Sequence, residues 1–299
     1  HYPLRRQRQM CIRDSFLAPP EYVNELIKTL TEISPMRTIA RVRATSQKSI
    51  QMPSRTATFS AAWVAETGTK SETTGYTTQL EEIPTHEQYA LVDISNQMLE
   101  DSVFNLEAEM QQEFAQQLAK NEGAAFVSGS AVGQPEGVIT NSSIGQTVSG
   151  NGTALLADGL IDLVHAIKSP YASNANFIFN RSTLAKIRAL KDTAGQYVFQ
   201  AGMMLTAGVP NSILGHPYVE MPDMPDVAAN SLSVAFGDFS RGYMIVDRVN
   251  LSILRDPFTQ ASTGSVRYYC RSRVGGQVVL PEAIRLSLIH ISEPTRRTP

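Results

Sequence analysis

The stretch from Trp63 to Gly137 constrains the fold most. Its first half, AAWVAETGTKSETTGYTTQLEEIPTHEQYALVDIS, reads as a long two-stranded excursion, polar and rich in Thr, Glu and Gly in the middle, with apolar residues at its ends. Gly68 and Gly75 bracket the tip, and the return strand carries Tyr89, Leu91, Val92 and Ile94. Its second half reads as one long helix. Leu106, Met110, Phe114 and Leu118 recur at i+4 steps, so a narrow apolar stripe follows one helix face to Phe126. Asn105 suits the N-cap, and Glu107 and Glu109 sit in the first turn, where carboxylates favour the positive end of the dipole. Gly129, Gly133, Pro135 and Gly137 then stop the helix. A polar ribbon too thin to own a core, joined to a helix with a narrow stripe, must bury its apolar residues against something else. Neighbouring copies of the same chain are the expected partner, and the hairpin is a candidate intersubunit clasp.

Both ends are set apart before charge or cysteine is used. The run 5–15, RRQRQMCIRDS, is the translation of a transposon-derived sequencing adapter, and 286–292, LSLIHIS, translates its reverse complement, with the adapter continuing beyond. Residues 1–15 and 286–299 are therefore read as adapter scars rather than as a basic nucleic-acid-binding arm. These ends hold six arginines against two acidic residues, so the formal charge of −2 becomes −6 for Phe16 to Arg285. An acidic chain disfavours a dedicated DNA-binding role, which depends on a basic face. Cys270 is then the single cysteine, expected to be a small buried apolar residue. With 299 residues and 42% hydrophobic content the chain can bury a core as one large domain or two ordinary ones. No run approaches the roughly twenty apolar residues of a membrane helix, and no leader is recognisable, so synthesis in the cytoplasm is expected.

In order, the segment 16–40 opens with two prolines and continues as an amphipathic helix carrying Val23, Leu26, Ile27 and Leu30, ended by Pro35. Residues 41–60 suit an extended segment leading into the excursion. After Gly137, NSSIGQTVSGNGTA is loop-like. Helices then flank a short buried strand at Phe177, Ile178 and Phe179, and the second helix starts after Asn180 and Ser182, which indicates a mixed sheet with helices packed on it. The segment ILGHPYVEMPDMPD holds too many prolines for a central strand. SLSVAFGDF and YMIVD read as strands joined by a turn at Ser240, Arg241 and Gly242, and two or three more strands follow.

A search for chemistry finds little. His86, His165 and His216 have no second His or Cys at metal-ligand spacing, and Asp223 and Asp226 lack the alternating ligands of a calcium loop. The run SGSAVGQPEG has no Lys-Ser/Thr pair and follows a helix instead of a strand, which excludes a phosphate loop. No nucleophile elbow is present. No catalytic, cofactor-binding or metal-binding residue is assigned, and no enzyme is expected.

Taken together, several segments resemble the major capsid proteins of tailed bacteriophages of the Hong Kong 97 type. They are LAPPEYVNELIKTL, Trp63-Val64-x-Glu66, ISNQMLEDS, NEGAAFVSGSAVGQPEGVI, FNRSTLAKIRALKDTAGQYVF, ILGHPYVEM, AFGDFSRGYMIVDR and RSRVGGQVVLPEAI. The resemblance covers 16–285 and implies an α+β fold. It implies an N-terminal arm at 16–36, a peripheral domain at 37–59, an extended loop at 60–85, and a peripheral domain with a spine helix at 86–150. An axial domain is implied at 151–247, with peripheral C-terminal strands at 248–285. Trp63, Glu66, Lys70 and Tyr76 are the expected intersubunit contacts of the loop, and Leu106, Met110, Phe114 and Leu118 the spine stripe.

The function implied is a structural one: pentamers and hexamers of the chain close into an icosahedral head around double-stranded DNA, held without sequence-specific binding. The implied partners are further copies, a scaffolding segment or protein, a portal and a prohead protease, with no cofactor and no membrane. The implied location is the virion, assembled in the bacterial host cytoplasm. Some relatives join a loop Lys to an Asn of the peripheral domain, with a Glu as base. Lys70 lies in the right loop, but the Asn falls near Gly264 and the acid at Arg271, so both partners are expected to be absent and no crosslink to form. The alternatives are an encapsulin-type compartment shell and, more distantly, a monomeric α+β enzyme or binding protein.

Overall fold

The computed structural model describes residues 33–57, 59–64, 66–73, 75, 77–102, 105–151, 154–191, 195–197 and 212–290. The helix expected around Val23 to Leu30, the outer adapter residues and Tyr76 lie outside them. The described chain begins with a short helix α1 (Met36–Ile39), then strands β1 (Arg41–Ala44), β2 (Ser49–Ala57), β3 (Thr77–Pro84) and β4 (His86–Ser95). Helices α2 (Asn96–Asp101) and α3 (Leu106–Ser128) follow, then β5 (Gly145–Asn151), β6 (Ala154–Leu155), α4 (Ala157–His165), α5 (Ser169–Ala172), β7 (Asn176–Phe179) and α6 (Arg181–Arg188). The remainder is β8 (Ser212–Ile213), β9 (His216–Glu220), β10 (Val234–Gly237), α7 (Phe239–Gly242), β11 (Tyr243–Asp256), β12 (Ser265–Val278) and β13 (Ile284–His290).

Three sheets organise these elements. β2 and β3 form a two-stranded ribbon, a four-stranded sheet runs β1-β11-β12-β4, and a seven-stranded sheet runs β6-β5-β13-β10-β7-β9-β8. Helix α3 starts and stops as its sequence dictates: the Asn105 side chain accepts from the Ala108 N–H at 3.2 Å, and Gly129 closes the end. Its stripe lies on β12, where Phe114 and Leu118 pack with Val266, Tyr268 and Cys270. The apolar side of the spine helix is thus buried within its own chain in this half, and not by neighbouring copies as the narrow stripe suggested. Cys270 is fully buried there, and burial pushes its thiol pKa up.

The seven-stranded sheet carries a separate core in which Phe177, Phe179 and Phe236 meet Leu160 and Leu163 of α4 and Leu184 and Ile187 of α6. Asn180 caps α6, accepting from the Thr183 N–H at 2.8 Å. A third cluster joins the two sheets: Phe126 at the end of α3, Tyr243 of β11, Ile178, Phe239 and Ile284 pack together, with Phe126 edge-on to Tyr243 at 5.9 Å.

Several expectations change. The legs of the hairpin are β2 and β3, paired from Ser49↔Pro84 to Ala57↔Thr77, whereas the residues expected as the return strand form β4 and pair with β12. Thr85 separates them, so the chain leaves the ribbon and enters the sheet. β10 and β11 are not a simple hairpin: the helical turn α7, capped by the Asp238 side chain, carries the chain from the seven-stranded sheet to the four-stranded one. The chain therefore passes from the seven-stranded to the four-stranded sheet at Asp238. HPYVE is a strand after all; Pro217 stands near its start, before the pairing with β7 begins at Tyr218.

The chain also returns to the seven-stranded sheet at its end, where β13 pairs antiparallel with β10 and parallel with β5. Residues 145–151 and 284–290 therefore share one sheet with β7 and β10. It also gives 286–290, set aside as adapter-encoded, a structural position, because Leu286, Ser287 and Ile289 are fully buried between two strands. Alternating apolar residues are all such a position requires, and the adapter translation supplies them.

Candidate assembly interface

The hairpin is anchored at its root and bare at its tip. Ile83 is buried against Met244 and Val246, joined by Ile50 and Met52, while Leu80 farther out is exposed. A nine-residue strand spans about 30 Å, so the ribbon carries its tip well beyond that small core. Trp63 is fully exposed, Val64 is exposed, and Glu66 and Lys70 stand in solvent, neither in an ion pair among the described residues. The projecting loop thus leaves a whole indole side chain in solvent.

The four-stranded sheet has one covered face and one partly bare face. Side chains at Val266, Tyr268 and Cys270 meet α3, and those between them point away. On the far side, Arg267 pairs bidentately with Asp93 at 2.7 Å, and Arg273 Nε donates to Glu87 at 2.9 Å. Between these pairs lie Tyr89 and Tyr269, with ring centroids 6.5 Å apart, and the exposed Arg271. Arg267 holds the Asp93 carboxyl below its usual range by direct hydrogen bonds.

Of the residues singled out from the sequence, Phe114 and Leu118 are buried, Leu106 and Met110 are half-buried, and Trp63, Glu66 and Lys70 share the exposed loop. Gly264 adopts a left-handed conformation (φ +66°) ending the turn before β12, and Arg271 lies on the bare sheet face. The sequence reading missed an ion cluster at the start of the described chain. Arg37 donates to both carboxylate oxygens of Asp247 at 2.8 Å and also to Glu122, tying α1 to α3 and β11. The Asp247 bonds hold the Arg37 guanidinium charged, whereas burial outweighs Arg37 at Glu122 and pushes its carboxyl up. Beside it, Gly123 lies so close to Ser34 that a Cβ there would approach Ser34 Cβ to 2.4 Å. Only the residue types hinted at this cluster, because its members are more than eighty residues apart in sequence.

Among the described residues no group of His, Cys, Asp or Glu could hold a metal ion, and no helix is long and apolar enough to cross a membrane. Residues 14–287 match the model of the phage capsid family.

The chain belongs to the phage capsid family. Its architecture is α+β, of the Hong Kong 97 type. The capsid of a native GTA particle superposes on this capsid protein with a TM-score of 0.84 at 32% identity, covering 94% of this chain and 98% of that one. The capsid of an empty GTA particle gives 0.83 at 32% identity, with 93% and 97% covered. A structure from Gordonia phage Cozz shares the fold at 15% identity, with a TM-score of 0.70 over 92% of each chain. No curated protein matches significantly. The capsid protein is a structural major head protein and a component of a virion shell; the encapsulin alternative is not favoured.

Proposed function

We propose that the capsid protein forms pentamers and hexamers that close into an icosahedral head around double-stranded DNA, with the β2–β3 hairpin acting as the clasp between neighbouring subunits. The observation that carries this reading is the hairpin: its root is packed, its tip is bare, and Trp63 is buried by nothing among the described residues. Burying such a side chain contributes on the order of 2–3 kcal/mol, repeated at every subunit contact in a shell.

Assembly takes place in the bacterial host cytoplasm, with a scaffolding segment or protein, a portal and a prohead protease as further partners. The acidic chain contains the DNA without sequence-specific binding, since its net charge repels a phosphate backbone. The protein has no enzymatic activity. Subunits are not covalently joined: Lys70 has no asparagine at Gly264 and no carboxylate at Arg271, so a denaturing gel of assembled shells should show single chains, and a ladder of covalent multimers would refute this.

Size-exclusion chromatography and negative-stain microscopy of the full chain test the main reading. Rings or closed shells are expected, and Trp63→Ala should shift the distribution toward free subunits. A parent chain that stays monomeric even with a scaffold supplied would overturn it.

A further inference from the structure

We infer that Gly275 is a positioning residue for assembly: its missing side chain lets the hairpin root lie directly on β12, and this sets the angle at which the β2–β3 hairpin leaves the sheet. The inference rests on the clasp reading and adds what aims the clasp.

Gly275 and Gly276 stand side by side in β12, an internal strand of the four-stranded sheet, where they pair with Val246 and Ile245. Glycine weakens a strand interior, and neither residue lies in the left-handed region that would require it. Both are buried, so space is the reason for them. A Cβ at Gly275 would come within 2.2 Å of the Pro84 carbonyl oxygen and 3.4 Å of the Thr85 Cα. The ladder between β4 and β12 ends one residue away, at His86↔Val274, so Pro84 lies over the face of β12 just where pairing stops.

The opposite face is blocked. A Cβ at Gly276 would meet the Tyr243 hydroxyl at 2.5 Å and the Phe126 ring at 2.9 Å, and the Gly276 carbonyl accepts from the Glu136 N–H at 2.8 Å. Successive residues of a strand face opposite ways, so the hairpin root occupies one side of β12 and the end of the spine helix the other. β12 therefore has nowhere to retreat, and a side chain at 275 must displace the hairpin. The root has few other ties. Thr85 donates both its N–H, at 3.1 Å, and its Oγ1, at 2.8 Å, to the Lys48 carbonyl, and Ile83 packs on Met244 and Val246. Over a ribbon of about 30 Å, a tilt of about 10° at the root moves the tip by about 5 Å, enough to take it out of contact.

Trp63 reports the angle, because it is the single tryptophan of the chain and sits in the exposed loop. An acceptor dye is attached at Arg255→Cys, near the far end of β11, in a Cys11→Ser background; the remaining Cys270 is buried. Energy transfer from Trp63 in unassembled full chains should change in Gly275→Ala and keep the parent value in Gly276→Ala, which disturbs only the other face. By light scattering, Gly275→Ala should need a several-fold higher concentration to form shells. Should Gly275→Ala fail to fold, Thr85→Val decides, since it adds no bulk and removes one of the two bonds to Lys48: a broader spread of Trp63 donor lifetimes with weaker assembly is expected, and parent values of both would overturn the inference. A Gly275→Ala chain that loses stability in urea with transfer unchanged would make Gly275 a packing residue only and overturn it, as would altered transfer with assembly at the parent concentration. Trp63→Ala assembling like the parent would refute the clasp, and with it the role in assembly, while transfer would still judge the hairpin angle.

Discussion

Replacing Arg37 by methionine tests how the first described segment is held to the spine helix and β11. The substitution keeps the bulk of the stem but removes the charge shared by Glu122 and Asp247. The two carboxylate side chains retain 12% and 23% of their exposure, so each loses most of its solvent compensation. Removing one partner of a buried ion pair costs about 3–5 kcal/mol, while an exposed pair contributes about 0–1 kcal/mol. Arg37 itself is 40% exposed, which screens the interaction and brings the expected loss to about 2 kcal/mol.

Glu122→Gln should behave differently. Burial raises the Glu122 pKa above its unfolded value, so the folded chain binds a proton there more readily than the unfolded chain does. Its titration therefore lowers stability as pH rises from the unfolded pKa through the folded one. Removing the ionisable group relieves that cost while leaving the bidentate Arg37–Asp247 pair, and a net change within about 1 kcal/mol is expected. Equilibrium urea unfolding of unassembled chains at neutral and mildly acidic pH measures both. A Glu122→Gln loss as large as that of Arg37→Met, or an Arg37→Met loss below about 0.5 kcal/mol, would refute the reasoning.

Other perturbations probe the two sides of the junction. Phe114→Ala should destabilise the chain by about 3–5 kcal/mol in the same unfolding assay, because Phe114 fills the contact between α3 and β12. Tyr243→Phe should cost about 1–2 kcal/mol, since the buried hydroxyl donates to the Glu136 carbonyl at 2.6 Å and its loss strands that acceptor. Thermal or urea unfolding of these variants before assembly separates such losses from defects at subunit contacts.

The spine helix was legible because its signals are local: a capping Asn, acidic first turn, i+4 stripe and terminating glycines lie within one segment. The same holds for β7 and α6, where a short apolar run precedes Asn180. The hairpin is legible as an excursion but its legs are not, because β2 offers only Ile50 and Met52 as apolar alternation and the apolar residues of β4, Tyr89 to Ile94, look equally like a return leg. Only sheet pairing tells that Tyr89 and Leu91 oppose β12 and not the outgoing leg. The two crossings between sheets were hidden for the same reason. A turn at 239–242 looks like a hairpin turn until Asp238 caps it and sends β11 elsewhere. The exposure of Trp63, Glu66 and Lys70 is legible from the polar stretch around them, whereas the Arg37 cluster depends on long-range contacts that no spacing encodes.

The end of the chain is where sequence reading and fold give opposite advice, and a truncation decides between them. As adapter translation, 286–299 would be dispensable. As structure, Leu286 and Ile289 are fully buried, and 286–290 connect β5 to the rest of the seven-stranded sheet through β13. Removing everything after Arg285 would strip two buried aliphatic side chains, each contributing about 1.5–3 kcal/mol. It would also unpair β5 from Gln146 to Asn151 and expose the β10 edge from Val234 to Ala235. Those losses together approach the total stability of about 5–15 kcal/mol typical of folded proteins. The chain ending at Arg285 should therefore aggregate or unfold at far lower urea than the full chain. Equal unfolding midpoints would show that these residues add nothing to the sheet, and that the strand is complete at Arg285.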